Sequence, residues 1–207
     1  MTVVGSSLAV WYLMRASGVV SLVLLTAVFT LGIATAKRWH PVHLPRFVTA
    51  ALHRNISLLA VVFLAIHVAT AVIDPYAHVG VLATVIPFTA GSNPLWVGLG
   101  AVSLDLVAAL IVSSLLRRHI GQRAWKTIHW LAYASWPIAF AHTLGSGTDA
   151  ATLWLRIASG LSAATIVGVI AWRRHDLGGR AKHLEPRPLP ALAAEARSRR
   201  AIEKVAA

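Results

Sequence analysis

Long apolar runs alternate with short polar stretches along the chain. The runs cover approximately Leu8–Ala36, Ala51–Ile73, Leu95–Leu116, Trp125–Leu144 and Thr152–Trp172. A helix needs about 20 apolar residues to cross the hydrocarbon core of a bilayer. The pattern therefore predicts an all-α integral membrane protein with five transmembrane helices. Between the second and third runs, "VGVLATVIPF" is apolar but only ten residues long, in a segment interrupted by Pro75, Pro87, Gly91 and Pro94. It is too short to cross and predicts an interfacial or re-entrant piece. After Trp172 the chain turns polar and basic, with Pro186, Pro188 and Pro190 breaking it. The expected organisation is a membrane domain over 1–174 and a basic tail over 175–207, flexible or lying on the membrane surface. The first run lacks a basic n-region and a small-residue cleavage site, so it reads as a retained helix and not a signal peptide.

Composition supports this reading, and charge adds an orientation. The chain is 57% hydrophobic and only 13% charged, against about 25% charged in soluble domains. Its net charge of +12 does not point to nucleic acid, because the basic residues sit beside the ends of apolar runs. Lys37, Arg38, Arg46 and Arg54 follow the first run; Arg117, Arg118, Arg123 and Lys126 follow the third; nine more lie in the tail. The segment from Asp74 to Pro94 has none. Basic loops stay cytoplasmic, which predicts an outside N-terminus and a cytoplasmic C-terminus in the inner (plasma) membrane. With no cysteine, the chain has no disulfide, thiolate-ligated haem or Cys-bound iron–sulfur cluster of its own.

The candidate chemistry lies in four histidines. His53 and His67 stand fourteen residues apart in the second run, and His129 and His142 thirteen apart in the fourth. Fourteen residues are close to four helical turns, so His53 and His67 share a face and lie about 21 Å apart along the axis. Under the predicted orientation the second and fourth helices run in the same direction. His53 and His129 then share a cytoplasmic level, and His67 and His142 an outer one. Ionisable groups inside a span are functional candidates by default, and neutral imidazole is a standard axial ligand of haem iron. The pattern predicts two bis-histidine b-type haems stacked across the membrane. A structural bundle or transporter whose histidines only hydrogen-bond is the competing reading. On an ideal helix, thirteen residues leave His129 and His142 on different faces; Pro137 between them predicts the kink or wide turn that would align them.

Other polar residues carry weaker signals. Arg15 lies one turn inside the first helix, read equally as snorkelling to headgroups or as a counter-charge for a haem propionate or an incoming acceptor. Arg54, beside His53, is expected to pair with propionates at the cytoplasmic level, together with Lys126 or Arg123. Gly18 and Ser21 are small enough to admit a close neighbour or a flat cofactor. Asp105, near the middle of the third helix, is expected to face the bundle interior, since an unpaired carboxylate in hydrocarbon is expensive. His40, His43 and His78 read as loop or surface residues.

The segments "YLMRASG", "LHRNISLLAVVFLAIH" and "IHWLAYASWPIAFAHT" resemble the ferric-reductase-like transmembrane domain, over about residues 8–172. That family includes ferric reductases, NADPH oxidases and the haem-bearing membrane subunit of the bacterial methionine sulfoxide reductase system. The resemblance implies that His53 and His129 hold an inner haem and His67 and His142 an outer one, with Arg15 beside the outer haem. It implies electron flow from a cytoplasmic flavoprotein reductase or membrane quinol to a ferric chelate, oxygen or a periplasmic protein. Only 35 residues follow Trp172, too few for the flavin and nicotinamide domain of many relatives. The expected protein is thus an oxidoreductase component without such a domain, with the haem subunit of a periplasmic methionine sulfoxide reductase as the alternative.

Overall fold

A computed structural model describes residues 2–36, 46–77, 79–146 and 152–183. They form six α-helices: α1 Thr2–Ala36, α2 Arg46–Ile73, α3 Pro94–Leu115, α4 Arg117–His129, α5 Ala132–Ser146 and α6 Leu153–His183. A single 3-10 turn, Val81–Thr84, lies between α2 and α3. There is no strand among the described residues. The chain divides into two units, Met1–Val169 and Ile170–Ala207, and all four candidate histidines belong to the first. In the second unit α6 continues beyond Trp172 to His183, without the helix end expected at Arg173–Arg174. His40, His43, His78 and the tail beyond His183 lie outside the described residues.

Among the described residues four helices, not five, are long and apolar enough to cross a membrane: Leu8–Ala36, Phe47–Ile73, Pro94–Leu115 and Leu153–His175. The expected crossing over Trp125–Leu144 is overturned, because that stretch is two helices. α4 is polar and ends at His129, Trp130 and Leu131 form a turn, and α5 has only 15 residues. At 1.5 Å per residue α5 is about 22 Å long, short of a core about 30 Å thick. The orientation that depended on five crossings, N-terminus outside and C-terminus cytoplasmic, falls with it. The irregularity expected from Pro137 is present, but upstream. Tyr133 N–H donates to Trp130 O at 3.0 Å and Ala134 N–H to Leu131 O at 3.0 Å, three-residue bonds that tighten the turn, while α5 runs on through Pro137. "VGVLATVIPF" does not cross: it contributes the 3-10 turn, and Phe88 (φ 68°) lays its ring where a side chain at Gly98 of α3 would stand.

Packing follows membrane rules. Ser17, Ser21, Thr26, Thr70, Ser103, Ser113, Ser135, Ser159 and Ser162 are buried, while Leu58, Val62, Leu115, Leu161 and Val167 are exposed. Lipid solvates large apolar side chains, so small residues take the helix contacts. Several of these hydroxyls satisfy themselves on their own helix, as Ser21 does on Ser17 O at 2.7 Å and Thr26 on Leu22 O at 2.8 Å. α1 packs on α2 and on α5, and α5 packs on α3. Among the hydrogen bonds that tie elements together, Trp136 Nε1–H donates to Thr26 Oγ1 at 2.9 Å, and Ser103 Oγ–H to Ser135 O at 3.1 Å. Both α2 and α5 run antiparallel to α1, and therefore in the same direction as each other. An apolar groove of about 770 Å³ between α1 and α6 is lined by Thr26, Thr30, Trp154 and Leu161 among others, and by none of the four histidines.

Asp105 corrects a further expectation. It is exposed, not turned into the bundle. It lies two turns beyond Gly98 on nearly the same line of α3. Phe88 covers that line at Gly98, but at the height of Asp105 the face is open.

Candidate functional site

Two antiparallel helix pairs position three of the four histidines. On α1 and α2, His67 Nδ1 lies 2.8 Å from Met14 O and His53 Nδ1 3.1 Å from Val28 O. On α3 and α5, His142 Nδ1 lies 2.8 Å from Trp96 O, with Ser146 Oγ also at 2.8 Å. A carbonyl oxygen only accepts, so Nδ1 carries the proton in each case. The free lone pair is left on Nε2, the arrangement characteristic of a metal-ligating histidine and its outer-shell partner.

A glycine accompanies each of these bonds. Four residues after Met14 comes Gly18, where an added Cβ would meet His67 Cε1 at 2.8 Å. Four after Val28 comes Gly32, where the same atom would meet His53 Cε1 at 3.4 Å. Four after Trp96 comes Gly100, where it would meet His142 Cε1 at 2.6 Å. One helical turn thus supplies both an acceptor for Nδ1–H and the space for the ring edge. At Gly18 and Gly100 the Nδ1–Cε1 edge lies against the glycine and Nε2 stands farther off, at 3.6 and 3.0 Å. Contacts this close show that the histidines reach the neighbouring backbone because no side chain intervenes.

The pairs meet across α2 and α5. The ring centroids of His67 and His142 are 6.3 Å apart with planes at 73°. Two imidazoles on opposite sides of one metal, each nitrogen about 2 Å from it and about 1.1 Å from its own ring centre, would place their centroids roughly 6 Å apart. His53 and His129 lie within electrostatic reach of each other. Among the described residues no group of three or more His, Cys, Asp or Glu gathers; these donors come two at a time. The donor set, the free Nε2 positions and the glycine cradles fit a haem held from both faces.

Arg15 and Arg54 differ in setting. The Arg15 guanidinium lies 3.9 Å from the centre of the Trp11 ring, directed toward the N-terminal end of α1 and within electrostatic reach of Asp74. Arg54 is exposed on α2. Asp74, which the sequence reading passed over, is only 3% exposed. Its Oδ1 accepts from Tyr76 N–H at 2.9 Å, and its Oδ2 has no hydrogen-bond partner. The roles of Gly32 and Gly100 were also missed. A signal existed for the first: Gly18 and Gly32 are fourteen residues apart, the same interval as His53 and His67, as antiparallel helices in register require.

Four candidate spans, with histidines of α2 facing those of α4 and α5, define a helical membrane bundle. The chain is a member of the ferric reductase like transmembrane component family, whose model matches residues 17–140. No curated protein and no solved structure matches it. The matched stretch contains His53, His67 and His129, with Arg15 just before it and His142 just after. The protein is accordingly a ferric-reductase-like transmembrane electron-transfer module of multi-pass membrane character.

Proposed function

We propose that the chain carries two b-type haems, one between His53 and His129 and one between His67 and His142, and passes electrons across the plasma membrane. The observation that carries this reading is the 6.3 Å approach of His67 to His142, with Nδ1 of each ring bonded to a backbone carbonyl. A haem held by two histidines would supply a site that takes up and releases one electron. The chain's own residues orient the rings, keep their Nε2 lone pairs available and exclude water with the apolar walls of α2 and α5.

Arg54 follows His53 on α2, and Arg123 and Lys126 precede His129 on α4, so the His53/His129 level is the basic end of the module. Arg54 there neutralises propionates. Electrons enter at that end from a flavoprotein reductase or a membrane quinol. They leave beside His67, His142 and Arg15 to a ferric chelate, oxygen or a periplasmic protein, where Arg15 attracts anionic acceptors.

The test is an optical redox titration of purified, haem-sufficient protein with a measured haem-to-protein ratio, followed by acceptor reduction in oriented proteoliposomes. Two low-spin haems and acceptor reduction on the side opposite the donor are expected. A purified chain without a Soret band refutes the reading.

A further inference from the structure

Three of the four histidines are held alike, and the fourth is not. His67, His53 and His142 each donate Nδ1–H to the carbonyl four residues before a facing glycine. The Nδ1 of His129 is buried and has no hydrogen-bond partner. His129 is also the last residue of α4, immediately before the Trp130–Leu131 turn, so no continuous spanning helix fixes its backbone. Thirteen residues beyond Gly100 on α3, the interval that separates His129 from His142, stands Ser113 and not a glycine. That residue is 5% exposed, and its hydroxyl bonds to Leu110 O of its own helix at 3.1 Å.

What holds the His129 ring is a face. It stacks on Trp125 with centroids 4.7 Å apart and planes at 28°. Trp125 is itself fixed by the Arg117 guanidinium, 4.3 Å from its ring centre, and by a 3.3 Å bond from its Nε1–H to Ser114 Oγ. Stacking sets the plane of an imidazole but leaves it able to turn within that plane, which swings Nε2 away from its target. A bond from Nδ1 forbids that motion. Outer-shell partners of this kind also raise ligand basicity, and losing one typically costs about 10–100-fold in metal affinity.

We propose that His129 is the releasable ligand of the four, which makes the His53/His129 level a binding site for a small π-acceptor ligand of the carbon monoxide or nitric oxide class, while the His67/His142 level is closed to it. This rests on the haem reading above.

The experiment is a carbon monoxide titration of the full-length, haem-loaded protein reduced with dithionite, followed in the Soret region. One of the two haems is expected to take up carbon monoxide, and the other to keep its low-spin spectrum. His67→Gln, which empties the other level, is expected to retain one haem that is fully converted. Trp125→Ala, made in the otherwise intact chain, is expected to raise the carbon monoxide affinity of the converting haem tenfold or more. Two low-spin haems that both refuse carbon monoxide overturn the proposal, as does a converting haem that disappears in His67→Gln. Should His67→Gln fail to fold, unchanged affinity in Trp125→Ala overturns it independently. The spectrum before carbon monoxide is added tests the haem reading separately: no low-spin haem there refutes that reading and not merely the weakness of His129.

Discussion

The ring of His67 rests where a side chain at Gly18 would begin, with its Cε1 2.8 Å from that position. Gly100 bears the same relation to His142 at 2.6 Å, whereas Gly32 leaves His53 a looser 3.4 Å. Real Cβ contacts essentially never fall below 3.0 Å, so one methyl group must displace either ring at the His67/His142 level. Gly18→Ala and Gly100→Ala are each expected to lower the haem-to-protein ratio from two toward one, while Gly32→Ala retains both haems with at most a small spectral shift. Pyridine haemochrome assay against protein mass checks this. Full haem content in Gly18→Ala would show that the ring has room the close packing denies it.

Removing a ligand should separate the levels. If each pair shares one haem as proposed, His67→Ala and His142→Ala are each expected to lose the same haem, and His53→Ala the other. Site-resolved spectra during a redox titration report which component disappears. If His67→Ala and His142→Ala remove different components, the pairing is wrong.

Gly121 has φ 77° and ψ 165°, a backbone state essentially reserved for glycine, and an added Cβ there would touch nothing within 4 Å. Its effect is therefore purely conformational, and it sets the direction in which the rest of α4 carries His129. Gly121→Ala is expected to cost about 1–3 kcal/mol and to disturb the His53/His129 haem while sparing the other. Thermal unfolding together with the low-spin spectrum checks both halves of the statement.

Asp74 and Arg15 should act on the His67/His142 level in opposite senses. Adding an electron is opposed by a nearby negative charge and favoured by a positive one. Asp74→Asn is expected to raise the midpoint potential of that haem and Arg15→Gln to lower it, with the double variant between them. A potentiometric titration reads the signs. Shifts of the same sign in both variants would mean that the residues act through packing and not through charge.

Much of this protein was written in its sequence. The apolar runs from Leu8, Phe47, Pro94 and Leu153 are long enough to declare themselves, because the hydrocarbon thickness imposes a length on any helix that crosses it. The His53–His67 interval could likewise be read as one face of one helix, since 3.6 residues per turn bring position fourteen nearly back into line. The sequence also held the matching interval Gly18–Gly32, but its meaning required knowing that α1 and α2 are antiparallel neighbours in that register.

Tertiary structure decided the rest. The run Trp125–Leu144 looks continuous in hydrophobicity, yet the chain turns at Trp130–Leu131, because a hydropathy pattern does not register where backbone hydrogen bonds shorten to three residues. Asp105 was expected inside on the cost of a charge in lipid, but the packing of α3 on its neighbours leaves it on an exposed face. The acceptors of the histidine Nδ1 protons are backbone carbonyls of Met14, Val28 and Trp96. Every residue carries such a carbonyl, so no side-chain pattern could single them out. Only the packing of one helix on another selects which carbonyl a ring meets, and only there does the difference between His129 and its three counterparts arise.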